Sequence, residues 1–352
     1  MRSIERIVIL TPGFPGDEKD TANLPYLQDL VLSYKKYFPR VEVRVIAFQF
    51  PFREGEYNWN AVRVYSAGGK NEKFLQRMIT WKRVWKKLLQ WHAEKKIDVV
   101  HSFWLGECTF IAQRFSRAHS VKHVASIMGR DVQTSNRYFS FFKFGRISVV
   151  AISSFLAERF RERSGKAVSA IIPFGLDPEK MRFSQVQKPE YDIIGAGSLI
   201  PLKNYSLFIE LIAQLKKERP GIRSCIIGKG PEVQMLRDKV NALRLENNVE
   251  LKGEIAHDKV FEEMCKSKIF LHTSSFEGQS LVMMEALYAG LEVVCFDTGR
   301  PYNGKKMNVC HSKEEMLQKL RALLGAPANR NSVSVQTVKQ AAEQYFELYS
   351  KD

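Results

Sequence analysis

The stretch KIFLHTSSFEGQSLVMMEALYAGLEVVCFDT (268–298) reads as strand, loop, helix and strand in succession. Its ends, KIFLHTS (268–274) and EVVCFDT (292–298), are short runs rich in apolar and β-branched residues, as buried strands are. Between them Gly278 lies in a loop, and Gly290 stands where a helix would end. Strands separated by helices favour parallel sheets, which carry helices on both faces.

Outward from this stretch the same alternation recurs. Before it come DIIGAGS (192–198), IRSCIIG (222–228) and NVELKG (248–253), and after it MNVCH (307–311). Further upstream lie IERIVIL (4–10), VEVRVIAF (41–48), AVRVYSA (61–67), DVVHSF (98–103), KHVASIM (122–128), SVVAIS (148–153) and SAIIPFG (169–175). The two series are parted by DPEKMRFSQVQKPEYD (177–192), polar, with two prolines and no apolar period, which reads as a linker. The predicted fold is therefore α/β, two doubly wound Rossmann-like domains facing a cleft, over residues 1–178 and 191–334 with a linker at 179–190. The segment VQTVKQAAEQYFELYS (335–350) has helical apolar spacing, so 335–352 is expected to pack back on the first domain. In such sheets ligands collect at the carboxyl ends of the strands.

Composition narrows the class. The 352 residues are 45% hydrophobic and 26% charged, which excludes disordered, collagen-like and disulfide-scaffold chains. The five cysteines have no metal-ligand spacing, and Cys225 and Cys295 sit in strand-like runs, so they are expected to be reduced and structural. The opening MRSIERIVILTPGFPG has too short an apolar run for a signal segment and reads as a first strand of a cytoplasmic protein. No run of about 18 apolar residues occurs. The net charge of +16 is concentrated in residues 1–180, so the first half should meet an anionic partner: nucleic acid, an acidic membrane surface or an anionic acceptor.

In SSFEGQSLVMMEALYAG (274–290), Glu277 is placed on a loop above the sheet, and the N–H groups near Ser280 and Leu281 at a helix N-terminus, a seat for a diphosphate or sugar hydroxyls. Glu285, two turns on, is placed to hold a ribose. Solvated carboxylates on a capped amphipathic helix are the plain alternative.

The Glu277-x7-Glu285 pair, followed by EALYAGLEVVCF, resembles the signature of glycosyltransferase family 4, retaining enzymes of the GT-B fold. Further segments match in order: AGSLIPLKN (196–204), IIGKGPE (226–232), VELKGEI (249–255), AISSFLAERF (151–160), IIPFGLD (171–177), TPGFPGDEKDTANLPYLQDLV (11–31) and GRDV (129–132). The resemblance implies transfer of a hexosyl-type sugar from a nucleotide-sugar co-substrate, UDP- or GDP-linked, to a glycan or lipid-linked acceptor in cell-surface polysaccharide or glycolipid synthesis. It also implies retention at the anomeric carbon, with Glu277 and Lys203 catalytic. The donor would meet Ser198, Lys203, Gly228, Gly230, Glu277, Gly278, Gln279, Ser280, Leu281 and Glu285, with the base against the loops 228–231 and 252–255. The acceptor side of the cleft would hold Gly13, Phe14, Gly16, His101, Arg130 and Asp131. With no Asp-x-Asp to hold Mg²⁺, charge on the leaving diphosphate falls to Lys203 and the helix N-terminus, and no metal or other cofactor is expected.

The chain departs from the family pattern at Ser198, where an arginine is usual, at Met128, where a histidine is usual, and at Phe174 in place of an asparagine. Arg130 or Arg300 would restore the charge. An epimerase of the same fold and a non-catalytic nucleotide or glycan binder remain as alternatives. Nucleic acid is not expected as a partner, because no reading helix or RNA-binding platform motif accompanies the charge. The histidines lack metal-ligand spacing, and GAGSLI (195–200) lacks the third glycine of a dinucleotide fingerprint.

Two other segments stand out. KNEKFLQRMITWKRVWKKLLQWHAEKK (70–96) carries nine Lys/Arg against two Glu, with Phe74, Met78, Trp81, Trp85, Leu88 and His92 on one helical stripe. That stripe either packs on the first domain's sheet or meets an anionic membrane at the inner face, making the protein peripheral. RYFSFFKFGRI (137–147) either buries its four phenylalanines or lines an acceptor groove or membrane-facing edge.

Overall fold

The computed structural model describes residues 3–21, 23–72, 75–181, 189–298 and 304–351. Its contacts divide the chain into two units, residues 1–175 with 336–352 and residues 176–335.

In the first unit the strands are β1 (Arg6–Gly13), β2 (Glu42–Phe50), β3 (Glu54–Trp59), β4 (Val62–Ala67), β5 (Val99–Phe103), β6 (Lys122–Ile127), β7 (Ser148–Ala151) and β8 (Ala170–Ile171). They form one sheet in the order β3-β4-β2-β1-β5-β6-β7-β8, parallel throughout except for the antiparallel β3–β4 pair. The helices are α1 (Pro25–Tyr37), α2 (Leu75–Glu94), α3 (Glu107–His119) and α4 (Ser154–Ser164).

Because successive side chains of a strand point to opposite faces, β1 feeds two cores. Ile7 and Ile9 pack with Leu27, Val31 and Tyr34 of α1 and with Leu156 and Phe160 of α4. Val8 and Leu10 pack with Val84, Leu88 and Trp91 of α2 and with Ile111 and Phe115 of α3. The fully apolar strand is thus explained by helices on both faces.

The second unit contains β9 (Tyr191–Ala196), β10 (Ser224–Ile227), β11 (Val249–Gly253), β12 (Ser267–His272), β13 (Glu292–Phe296) and β14 (Met307–Cys310). Their order is β11-β10-β9-β12-β13-β14, all parallel. Here α5 (Tyr205–Glu218), α6 (Val233–Ala242) and α9 (Lys313–Gly325) cover one face, and α7 (His257–Cys265) and α8 (Leu281–Tyr288) the other. The chain winds outward from β9 to β11, then returns to the other side of β9 with β12. This reversal makes the carboxyl ends of β9 and β12 the place where a doubly wound sheet opens a crevice. The five cysteines are buried.

The last helix, α10 (Val338–Ser350), is counted with the first unit. Thr337 and Gln340 form a capping box at its start. Its Tyr349 hydroxyl lies 2.9 Å from that of Tyr34 and 2.6 Å from His101 Nδ1, while Tyr345 reaches Ser126 at 3.0 Å. The hydroxyls and imidazole satisfy one another inside an otherwise apolar core, which fixes the helix in one register.

Two expected site residues are corrected here, and the packed alternative is seen at 70–96 and for most of 137–147. Phe14 and His101, expected to line a cleft, are fully buried in the first unit. Phe14 packs edge-on against Trp59, and His101 is held by Tyr349 and by Ser126, at 2.8 Å. The Trp stripe of α2 faces the sheet: Trp91 is wholly buried, Trp81 packs on Phe110 and Trp85 on Phe115. Phe74 of that stripe lies outside the described residues. In 137–147, Phe139 and Phe142 are buried and Phe144 packs on Phe160, whereas Phe141 is exposed.

Candidate functional site

The site is built on the carboxyl ends of β9, β10 and β12. After β9 the chain passes Gly197 and Ser198 into a 3-10 turn, Pro201–Lys203. That turn is tied to the end of β12: the Thr273 hydroxyl donates to the Lys203 carbonyl at 2.8 Å, and the Ser275 N–H to the Leu202 carbonyl at 2.9 Å. Lys203 is thereby aimed at the loop after β12, where its ammonium group donates to Glu277 Oε1.

The same carboxylate oxygen lies 3.3 Å from His272 Nε2. His272 closes β12 and is buried; its Nε2 also lies 3.2 Å from the Ser274 hydroxyl and 3.4 Å from that of Ser280, while its Nδ1 has no hydrogen-bond partner among the described residues. Burial alone would raise the pKa of Glu277, but the hydrogen bond from His272 and the Lys203 charge overcome it and hold the carboxyl at about 2. Burial pushes the imidazole of His272 below its ordinary value despite Glu277. At neutral pH the cluster is a cation, an anion and a neutral imidazole.

The helix α8 starts beside it. Ser280 is its N-cap by position, yet among the described residues its side chain makes no capping hydrogen bond, and a helix start of this kind suits an anionic acceptor. Gly278 and Gln279 are buried ahead of it, Gln279 donating to Met284 Sδ at 3.0 Å, and Leu281 is half-buried. Gly290, at φ +83°, ends the helix region.

Glu285 lies within α8 and is buried, with its carboxylate 2.8 Å from Nε2 of half-exposed His257 at the start of α7. It is thus set apart from the Lys203–Glu277 pair, on the α7 side.

Gly228 and Gly230 are required by close approach. A Cβ on Gly228 would lie 1.9 Å from the Gly197 carbonyl oxygen, and one on Gly230 2.2 Å from that of Leu199. The loops after β9 and β10 therefore touch backbone to backbone, which no side chain permits. Ser198 is exposed beside them.

In the first unit, Gly13 is buried at the end of β1, and Gly16 stands against Pro51. The Asp131 carboxylate accepts from the N–H groups of Leu105 (2.9 Å), Gly129 (2.7 Å) and Met128 (3.2 Å), so it organises the loops after β5 and β6. Arg130 is exposed, its Nε 3.3 Å from the Gln133 side chain. Arg300 lies outside the described residues. Among the described residues no group of three His, Cys, Asp or Glu could hold a metal ion.

His272 was absent from the residues singled out by pattern. Its signal is positional: a polar residue closing an apolar strand next to the reversal point of the sheet.

Two doubly wound units, with a Lys–Glu–His cluster and an uncapped helix start at the reversal point of the second, define a protein of the glycosyltransferase GT-B class. The model described as glycosyl transferases group 1 matches residues 177–330, and that described as Glycosyltransferase Family 4 matches residues 26–180. The chain belongs to this family of group 1, family 4 glycosyltransferases.

Among curated relatives, the phosphatidylinositol N-acetylglucosaminyltransferase gpi3 subunit of Schizosaccharomyces pombe is 30% identical over 132 residues, 37% of this chain and 29% of that protein. The UDP-N-acetylglucosamine–peptide N-acetylglucosaminyltransferase GtfA subunit of Streptococcus pneumoniae is 28% identical over 134 residues, 38% of this chain and 25% of that protein. The matches thus span less than a third of either relative. Among solved structures, Anabaena HepE in complex with UDP covers 99% of this chain and 96% of its own, with a TM-score of 0.68 and 17% identity. That likeness establishes the fold.

Proposed function

We propose that the protein is a metal-independent, retaining glycosyltransferase that moves a hexosyl-type sugar from a nucleotide-sugar donor to a glycan or lipid-linked acceptor in the synthesis of cell-surface polysaccharide or glycolipid. The observation that carries this reading is the Lys203–Glu277–His272 cluster beside the uncapped start of α8. Departure of a diphosphate places negative charge where a fixed ammonium group and free helix N–H groups can receive it without reorganisation. In the step proposed, the bond from the anomeric carbon to the phosphate oxygen breaks, its electron pair going to the diphosphate. The acceptor oxygen bonds the same face of that carbon and gives its proton to the departing phosphate. Glu277, kept ionised at neutral pH, positions the donor sugar and faces the developing positive charge; Lys203 follows the diphosphate. Glu285 holds the ribose, displacing or sharing His257, and the loops after β10 and β11 take the base.

Relatives named for UDP-N-acetylglucosamine and a neighbour solved with UDP favour a UDP-sugar over GDP. The acceptor sits on the first unit, whose excess of basic residues suits an anionic or lipid-diphosphate-linked molecule, and the protein works as a cytoplasmic, membrane-peripheral enzyme. Calorimetric titration with UDP-, GDP- and ADP-sugars is the test. Expected are binding of a UDP-sugar and about tenfold weaker binding by Glu285→Ala, the value of one hydrogen bond to a charged group. Absence of binding to every nucleotide sugar would overturn the reading, and release of an altered donor without acceptor would replace transfer by epimerisation.

A further inference from the structure

Helix α2 has a second apolar face. With Val84, Leu88 and Trp91 committed to the core, its outward side carries Leu75 (76% exposed), with Met78 (62%) and Ile79 (43%) three and four residues on, and Leu89 (38%) further along after Lys82 and Lys86. Isolated exposed apolar side chains are ordinary. Here three crowd into the first turns of one helix, and Phe52, 54% exposed, shares a cavity with Gln76 and Thr80 of that helix.

Phe52 borders a cavity of about 490 Å³ that also meets Arg53, Lys70, Gln76, Thr80 and Arg83. Arg83 is engaged by Glu54 at 2.9 Å and by the Ala67 carbonyl at 3.1 Å. Arg53, Lys70, Lys82 and Lys86 are exposed, and their side chains make no hydrogen bond or ion pair among the described residues. Of the two acids in this segment, Glu94 is bound to Arg44 and Arg63, whereas Glu72 lines the same cavity, so four exposed cations face one exposed acid.

We infer that the start of α2, with the loop after β2 and the turn after β4, is a docking surface for an anionic lipid bilayer. Phe52, Leu75, Met78 and Ile79 enter the boundary of the acyl region, and Arg53 and Lys70 at the cavity, with Lys82 on the helix, meet headgroup phosphates. Unpaired lysines amid apolar side chains suit a bilayer better than a protein partner. Lysine is depleted from the cores of protein interfaces, whereas at a membrane its stem lies along apolar surface while its head stays among phosphates. The surface shares only the exposed Met78 with the Trp stripe, whose Trp81, Trp85 and Leu88 the fold uses internally. It belongs wholly to the first unit and does not depend on the donor chemistry.

The test is co-sedimentation of the full chain with vesicles of phosphatidylcholine, alone or mixed equally with phosphatidylglycerol. Binding to the mixed vesicles and little to phosphatidylcholine is expected, falling as salt rises from about 0.1 to 0.5 M. Leu75→Ser with Met78→Ser and Ile79→Ser, and separately Lys70→Glu with Lys82→Glu, should each reduce the bound fraction about fivefold or more. Melting temperature and nucleotide binding should stay unchanged. If the apolar triple variant melts earlier, the charge variant decides. Equal binding to both vesicles, no binding, or binding that both variants retain would overturn the inference. So would complete release by soluble glycerol phosphate, which would make the cavity a site for free phosphate.

Discussion

Lys203 and Glu277 each depend on the other for being where they are. The carboxylate is largely buried, and removing its cation leaves a charge in a site that disfavours it. For Lys203→Ala we expect turnover of nucleotide sugar to fall about 10²- to 10³-fold, the cost of losing one donor to a developing oxyanion; near-normal initial rates would show that other groups receive the diphosphate. Glu277 also makes a stability prediction. Its pKa is lowered from 4.5 to about 2, so the folded state binds its proton less readily than the unfolded chain. The resulting stabilisation, about 2–3 kcal/mol, is fully present above about pH 4.5 and is lost as the pH falls toward 2. Urea unfolding of the wild type and Glu277→Gln across pH 2–6 should show the gap in pH dependence closing at the acid end. Parallel profiles would mean that the carboxyl is not held ionised by its neighbours.

At the scale of elements, the loops after β9 and β10 are the most constrained. Gly228→Ala would press a methyl group into the Gly197 backbone, which cannot turn aside as a side chain can, so the two loops must separate. A loss of about 1–3 kcal/mol in urea unfolding is expected, together with weakened nucleotide binding; unchanged values in both would show that the loops move freely apart.

The parallel strands are legible in the amino-acid pattern because burial on both faces leaves nearly continuous apolar runs. Strand β3 is not. EGEYNW has two glutamates and a glycine, and is held by antiparallel pairing with β4 and by Glu56 bonding Arg63 and Lys87, partners that become neighbours only on folding. The same limit explains α2: periodicity shows that one stripe is apolar and not what covers it. Likewise His101 reads as a strand-end residue facing a ligand until α10 brings Tyr349 onto it. The paired acids 277 and 285 are visible in the sequence through the family signature they resemble, whereas their partners His272 and His257 come from other elements and are defined by the fold.

For the whole molecule, the order of the chain has a thermodynamic consequence. Residues 176–335 form one uninterrupted unit, whereas the other is closed by residues 336–352 returning to it. Each has its own cores on both faces of its own sheet, so each meets the requirement for cooperative unfolding by itself. The residues proposed to hold the donor lie in the second unit, and a ligand stabilises only the state that binds it, by about 2.7 kcal/mol at a hundredfold excess over Kd. Scanning calorimetry should therefore resolve two transitions, of which UDP raises one and leaves the other in place. Deleting 336–352 should lower the transition that UDP does not move, because it removes Tyr345 and Tyr349 from a buried hydrogen-bonded core. A single transition displaced as a whole by UDP would show instead that the two units unfold together and that donor binding is felt through the entire chain.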